Sequence, residues 1–407
     1  MKKALVCYLA VDEDDEEVRY DVAEMKELAL NVGMRVVDAV VQRRRPDPNY
    51  LLGEGKVLEA RERVCREQIA AAIFNRELSP RQITRLEDLL GDVEVWDRTQ
   101  VILEIFRRRA QSREGKIQVE LARLTYLYPR MLGLGEVLSR LGGGIGTRGP
   151  GETKLEVLRR AVRRRIYHLQ GELEEIRKNR ALLRGARRRE AVPVISLVGY
   201  TNAGKSTLLN ALSLTDHKVL VKDQLFATLD PVSRRIRLPS GREAVLTDTV
   251  GFIKELPPKL KEAFKATLEE LLAADLLLHV IDLTSPYLDR QVRAVESLLA
   301  ELELGDRPLI KVYNKIDRHN GPLPGDGVAV SALFGINLSL LLQRIEAALA
   351  PWEEAVIVVP FARLGEVARL GGRLQILGEE YLPEGVRISL RGDPAVLHKL
   401  KRRLNAE

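Results

Sequence analysis

Val194-Ile195-Ser196-Leu197-Val198 leads into Gly199-Tyr200-Thr201-Asn202-Ala203-Gly204-Lys205-Ser206, and Thr207-Leu208-Leu209-Asn210-Ala211-Leu212 follows. An apolar, β-branched run comes first, then a loop with glycines five residues apart, then a helix-forming run. The spacing Gly-x-x-x-x-Gly-Lys-Ser acquires meaning only in that strand–loop–helix context. Glycines let the backbone wrap an anion, while successive N–H groups and the helix N-terminus supply positive potential. Lys205 is placed to reach the outer phosphates of a nucleotide, and the Ser206 hydroxyl to bind Mg²⁺. The stretch therefore predicts an α/β fold with a phosphate loop.

Downstream, Ala244-Val245-Leu246-Thr247 reads as another strand and ends on Asp248-Thr249-Val250-Gly251. A carboxylate at that point suits Mg²⁺, and the Gly251 amide suits a γ-phosphate. Between the two motifs, Thr228 is the candidate switch threonine, whose hydroxyl would complete the metal shell in the triphosphate state. Many regulatory GTPases carry a glutamine after this glycine to orient the attacking water. Here Phe252 occupies that place, which predicts slow intrinsic hydrolysis. Several GTPases with an asparagine like Asn202 and a hydrophobic residue in the glutamine's place use K⁺ as an electrophilic helper. Asn202 is equally suited to a left-handed turn.

Leu309–Tyr313 reads as a strand delivering Asn314-Lys315-Ile316-Asp317 to its carboxyl end, where open α/β sheets bind ligands. The Asp317 carboxylate can accept two N–H bonds from guanine, a donor pair that adenine lacks. Ser331-Ala332-Leu333 follows a short strand, Val328–Val330, and its backbone can meet the guanine carbonyl. Phosphate, metal and base motifs in this order predict a chain that binds and hydrolyses GTP. Lys205, Thr228 and Asn202 are the catalytic candidates. The nucleotide candidates are Gly199 to Thr207, Gly251, Asn314, Lys315, Asp317 and Ser331 to Leu333. Ser206, Thr228 and Asp248 are the metal candidates.

At 407 residues the chain is long enough for several domains. Its two cysteines, Cys7 and Cys65, exclude a disulfide framework and fit a reducing cytoplasm. The short apolar start, Ala4 to Val11, runs at once into six consecutive acidic residues and reads as a strand. The longest apolar stretch, Leu271 to Leu283, is cut by Asp275 and Asp282, so no membrane span is expected. The net charge of +7 is unevenly placed: residues 107–190 carry 22 Lys/Arg against 9 Asp/Glu. A basic middle between acidic flanks predicts a polyanion-binding face.

Residues 1–106 alternate strand-like and helix-like segments and read as an α/β domain with a largely parallel sheet. Gly53-Glu54-Gly55-Lys56 imitates part of a phosphate loop without its spacing, and reads as local turn chemistry. Residues 107–190 read as a basic helical hairpin. Ile117, Leu121, Leu124 and Tyr128 share a face on its first helix. Leu155, Leu158, Val162, Ile166, Leu169, Leu173 and Ile176 share one on its second. Arg159, Arg160, Arg163, Arg164 and Arg165 crowd the opposite side. The tip, Gly142 to Gly151, has six glycines in ten residues and carries Arg148. Residues 191–350 form the nucleotide domain, and residues 351–407 read as a small α+β appendage.

This combination closely resembles the HflX family of translational GTPases, over residues 1 to 350. The most specific part is the tip, Gly142-Gly143-Gly144-Ile145-Gly146-Thr147-Arg148-Gly149-Pro150-Gly151-Glu152-Thr153-Lys154-Leu155-Glu156. The resemblance implies a Mg²⁺-dependent GTPase that binds the large ribosomal subunit and splits stalled or idle 70S ribosomes. The hairpin tip would point toward the peptidyl-transferase region, with Arg148, Arg159, Arg160, Arg163, Arg164 and Arg165 on ribosomal RNA. Family members have also been linked to ATP binding and RNA unwinding, for which no residues are assigned. The alternatives are a ribosome-assembly GTPase, an ATP-dependent RNA-remodelling protein and a GTP-gated regulator with no RNA role. A cytoplasmic monomer is expected.

Overall fold

The computed structural model describes residues 1–141, 150–189, 192–214, 231–249, 251, 271–349, 351–368, 370, 374–392 and 394–404. These fall into two compact units, one over Met1–Ile176 and one over the described residues from Arg177 onward.

The first unit opens with strands β1 (Lys2–Ala10), β2 (Met34–Arg43), β3 (Ala71–Phe74) and β4 (Glu94–Asp97), alternating with helices α1 (Asp15–Asn31), α2 (Glu54–Glu67), α3 (Pro80–Leu90) and α4 (Arg98–Arg109). All strands are parallel, in the order β2-β1-β3-β4. The burial of Ala4 to Ala10 explains their continuous apolar character, because both faces of a parallel sheet are covered. α3 starts where Ser79 and Pro80 predict: the Ser79 hydroxyl accepts from the Gln82 N–H, and the Gln82 side chain accepts from the Ser79 N–H. Gly53 caps α2, and its N–H donates to Gln42 at 2.8 Å. This Gly-Glu-Gly-Lys stretch is thus a helix start, not a phosphate loop.

Helices α5 (Arg113–Leu141) and α6 (Pro150–Arg189) follow, α5 continuing through Pro129. Partners rise in number along α5 as they fall along α6, from Arg113–Glu172 through Glu120–Arg165 to Tyr128–Arg163, so the pair is antiparallel. Ile117, Leu169 and Leu173 are buried between them, with Leu121, Leu124 and Ile176 alongside.

Asp97 joins α5 to the α/β head. Its buried carboxylate accepts from the Gln100 N–H, capping α4, from the Leu78 N–H, from the Tyr126 hydroxyl at 2.6 Å and from the Arg130 guanidinium. The same guanidinium lies 3.7 Å from the centre of the Tyr126 ring.

In the second unit, β5 (Val194–Val198), β6 (Val232–Arg237), β7 (Glu243–Asp248), β8 (Leu276–Asp282), β9 (Leu309–Asn314) and β10 (Val328–Ala329) form a sheet in the order β10-β9-β8-β5-β7-β6. Only β6 runs antiparallel, at the edge. The apolar stretch around Leu276–Ile281 is a central strand rather than a membrane segment. Among the described residues no helix is long and apolar enough to cross a membrane. Helices α7 (Lys205–Leu212), α8 (Leu288–Glu301) and α9 (Leu338–Ala348) pack on this sheet. A three-stranded antiparallel sheet follows, with β11 (Glu353–Val359), β13 (Gly385–Gly392) and β12 (Leu374–Leu382) in that order. Helices α10 (Leu364–Ala368) and α11 (Pro394–Leu404) complete its core.

Candidate active site

β5 is hydrogen-bonded to β7 on one side and to β8 on the other. The strand order reverses there, and ligands of such sheets bind at the carboxyl ends beside the reversal. The sequence places its motifs at those ends: the phosphate loop after β5, Asp248 at the end of β7 and Asn314 at the end of β9.

Two close approaches explain the loop glycines. Gly199 has φ +151°, and a Cβ there would lie 2.2 Å from the Val280 carbonyl oxygen on β8. Gly204 has φ +93°, and its Cβ would lie 2.2 Å from Asn314 Nδ2. The loop is thus pressed against two neighbouring strands. Asn202 has φ +64° and is exposed, the left-handed geometry that asparagine tolerates.

Lys205 is 6% exposed, and its ammonium donates to the carbonyls of Gly199 at 3.0 Å and Tyr200 at 2.8 Å. Burial pulls its pKa down to about 8, against the nearby Asp248 carboxylate, which favours the charged form. Ser206 Oγ donates to Asp248 Oδ2 at 2.6 Å, bringing together two of the three metal candidates. A hydroxyl beside a buried carboxylate, at a phosphate loop, is a donor set that fits Mg²⁺. Thr249 is turned away: its hydroxyl donates to the Leu197 carbonyl at 2.7 Å and ties β7 to β5. Gly251 abuts the loop, where a Cβ would lie 3.0 Å from Thr201 Cα and 3.1 Å from Lys205 Nζ. Thr228 and Phe252 lie outside the described residues, as does Arg148.

On the base side, Asn314 is a hub. Its Nδ2 donates to the Ala203 carbonyl at 2.9 Å, and its Oδ1 accepts from the Ala332 N–H at 3.0 Å. Asn314 thereby clamps the phosphate loop to the Ser331–Leu333 segment, and the Ala332 amide is spent on that clamp. Lys315 has φ +67°, and its ammonium meets Asp282 Oδ2 at 2.6 Å. Asp282 also accepts from the Thr284 N–H and hydroxyl. Sequence reading missed Asp282; its signal was an acid closing an apolar strand at the same sheet edge.

These arrangements suit a guanine nucleotide, and the chain is similar to known GTP-binding proteins. Residues 194–315 match a family described as "50S ribosome-binding GTPase". Residues 19–107 match "GTP-binding GTPase N-terminal", and residues 109–187 match "GTP-binding GTPase Middle Region". A GTPase HflX of Caldanaerobacter subterraneus subsp. tengcongensis is 47% identical over 94% of this chain and 89% of its own length. The GTPase HflX of Escherichia coli K12 is 45% identical over 76% of this chain and 71% of its own. The chain belongs to the HflX family. A solved structure, a GTP-binding protein of the archaeon Sulfolobus solfataricus with GDP, is 28% identical and covers 86% of this chain and 98% of its own, at a TM-score of 0.44. As an HflX GTPase, the chain is a GTP-hydrolysing enzyme.

The five described arginines proposed for RNA divide into two groups. Arg159 donates to the Met131 carbonyl at 3.0 Å. Arg163 donates to the Tyr128 hydroxyl at 2.6 Å, and Arg165 forms a fork on Glu120 at 2.7 and 2.9 Å. These three staple α6 to α5. Arg160 and Arg164 are exposed on the outward side; among the described residues Arg160 meets only its neighbour one turn back, Glu156, at 3.8 Å.

Proposed function

We propose that this HflX GTPase binds the large ribosomal subunit in its GTP state and separates stalled or idle 70S ribosomes. The observation that carries the reading is the closeness of Gly251 to the phosphate loop, where a Cβ added at this glycine would fall 3.0 Å from Thr201 Cα and 3.1 Å from Lys205 Nζ. The backbone after Asp248 runs close to the ammonium that receives the outer phosphates, so gaining or losing the third phosphate would be felt by that backbone. The strongly cationic hairpin and the description of the family matched by residues 194–315 support ribosomal RNA as the target.

Lys205 holds the β- and γ-phosphates, and Asp317 accepts the guanine N–H pair. Asn314 keeps the two ends of the site in register. Ser206 and Asp248, joined by Thr228 in the GTP state, would hold Mg²⁺, which when bound neutralises charge on the transferring phosphoryl group. Catalysis is positioning and electrostatic stabilisation of in-line attack by water. With Phe252 unable to orient that water, hydrolysis is slow until the ribosome is engaged. Asn202 recruits K⁺ as a further positive charge; single-turnover rates equal in K⁺ and Na⁺ would remove it from the mechanism. On the hairpin, Arg148, Arg160 and Arg164 meet RNA phosphates, while Arg159, Arg163 and Arg165 hold the hairpin in shape. The protein acts as a cytoplasmic monomer.

Sedimentation of purified 70S ribosomes with the protein and a non-hydrolysable GTP analogue tests this. Free subunits should increase with the analogue and not with GDP. Binding to large subunits that leaves 70S particles intact would instead select the assembly-factor reading.

A further inference from the structure

Along α6, Val157, Arg160, Arg164, Tyr167 and Gly171 follow spacings of three and four residues, so they share one helical face. That face is opposite the one that carries Leu169 and Leu173 into the contact with α5, the side on which Val162 is also buried. Tyr167 is 67% exposed. Arg164 meets no carboxylate among the described residues, and Arg160 has only its weak, solvated neighbour Glu156.

Gly171 is the second, independent observation. A glycine inside a helix costs about 1 kcal/mol relative to alanine. A Cβ there would meet nothing within 4 Å, so no packing inside the protein requires it. Helical side chains lean toward the N-terminus, so a side chain at 171 would cover the turn that holds Tyr167. Its absence leaves the Tyr167 ring open on the face that also carries the Arg164 guanidinium and the weakly paired Arg160.

We propose that this face is a base-stacking site for RNA, with an unpaired nucleobase on the Tyr167 ring and the flanking phosphates on Arg160 and Arg164. It rests on the ribosomal-RNA reading above and adds a contact that charge alone does not supply. Aromatic stacking accepts any base, and guanidinium forks suit phosphate oxygens. RNA is favoured over a protein partner because the face presents cations and a π surface, with one aliphatic side chain, Val157, at its end.

The test uses the full chain with a non-hydrolysable GTP analogue and purified large ribosomal subunits, read by co-sedimentation and by ultraviolet cross-linking. Wild type should cross-link to a nucleotide at Tyr167. Tyr167→Phe should bind within about twofold of wild type, and Tyr167→Ala about tenfold more weakly, the loss of one base stack. Gly171→Leu, which covers the ring without touching it chemically, should weaken binding to a similar degree with helicity retained by circular dichroism. Replacing Arg164 with Gln should lower the salt dependence, whereas the Tyr167 variants should leave its slope unchanged. Wild-type affinity in Tyr167→Ala and Gly171→Leu would overturn the stacking site while leaving the RNA reading in place. A cross-link from Tyr167 to a ribosomal protein would overturn it too. If wild type itself failed to bind large subunits, the broader reading would fall first.

Discussion

Asn314 Nδ2 donates to the carbonyl oxygen of Ala203 at 2.9 Å, so the residue that opens the base-reading motif is bolted to the phosphate loop. Its Oδ1 takes the Ala332 N–H, leaving a single buried amide to join three loops. Asn314→Ala removes both bonds and leaves a buried N–H and carbonyl unpaired, at about 1–3 kcal/mol each. GDP affinity should fall at least tenfold by calorimetry, with the melting temperature lowered. The ratio of guanine to xanthine nucleotide affinity should not change.

On the proposed reading, Asp317 sets that ratio. Asp317→Asn replaces an acceptor of two N–H bonds with a mixed donor and acceptor. GTP turnover should drop by about 10²-fold or more, and xanthosine triphosphate should restore part of it, because a site rejects a base that leaves its polar groups unpaired. Undiminished GTP turnover would undo the guanine assignment.

Gly251→Ala separates binding from sensing. The new Cβ would press on Thr201 Cα and Lys205 Nζ, so the segment or the phosphate loop must shift by a few tenths of an ångström. GDP should bind within a few-fold of wild type, since it carries no third phosphate to contact this segment. Affinity for a GTP analogue and single-turnover hydrolysis should both fall sharply.

His279 supplies a pH test. It lies on β8 at 1% exposure, and burial pushes its pKa down to about 4. Nearby Glu296 opposes the shift; Lys311 and Lys205 add to it. The folded state keeps this ring neutral, while the unfolded chain begins to protonate it near pH 6.5. Stability is therefore unaffected above about pH 6.5 and is lost as pH falls toward 4, by roughly 3 kcal/mol at most. In His279→Leu, the drop in the melting temperature of this unit between pH 6.5 and 4.5 should be smaller than in wild type.

The sequence made the nucleotide site legible because each motif is a short stretch whose chemistry depends on its own residues. The strands bearing them, Val194–Val198 and Leu309–Asn314, are bounded by loops that the motifs themselves define. The α/β head was readable for a related reason: Ala4–Ala10 and Ala71–Phe74 are apolar throughout, as strands buried on both faces must be. β6 was not read, because Val232-Ser233-Arg234-Arg235-Ile236-Arg237 buries only Ile236 and looks like surface. In the sequence the arginines of α6 form one cationic field. Arg159, Arg163 and Arg165 in fact flank the apolar stripe, where long side chains reach across to a partner helix. That distinction follows from helical position, which a charge count ignores. Asp97 carried no sequence signal beyond standing one residue before α4.

The Asp97 carboxylate closes the α4 cap, holds the Leu78 loop and grips Tyr126 and Arg130 with the same two oxygens. Any swivel of the head about the hairpin base must break all of these at once, in a site closed to water. The joint is a weld rather than a hinge. A tug on α5 is therefore delivered undiminished to the head, and dyes on α1 and α5 would keep their separation whichever nucleotide is present.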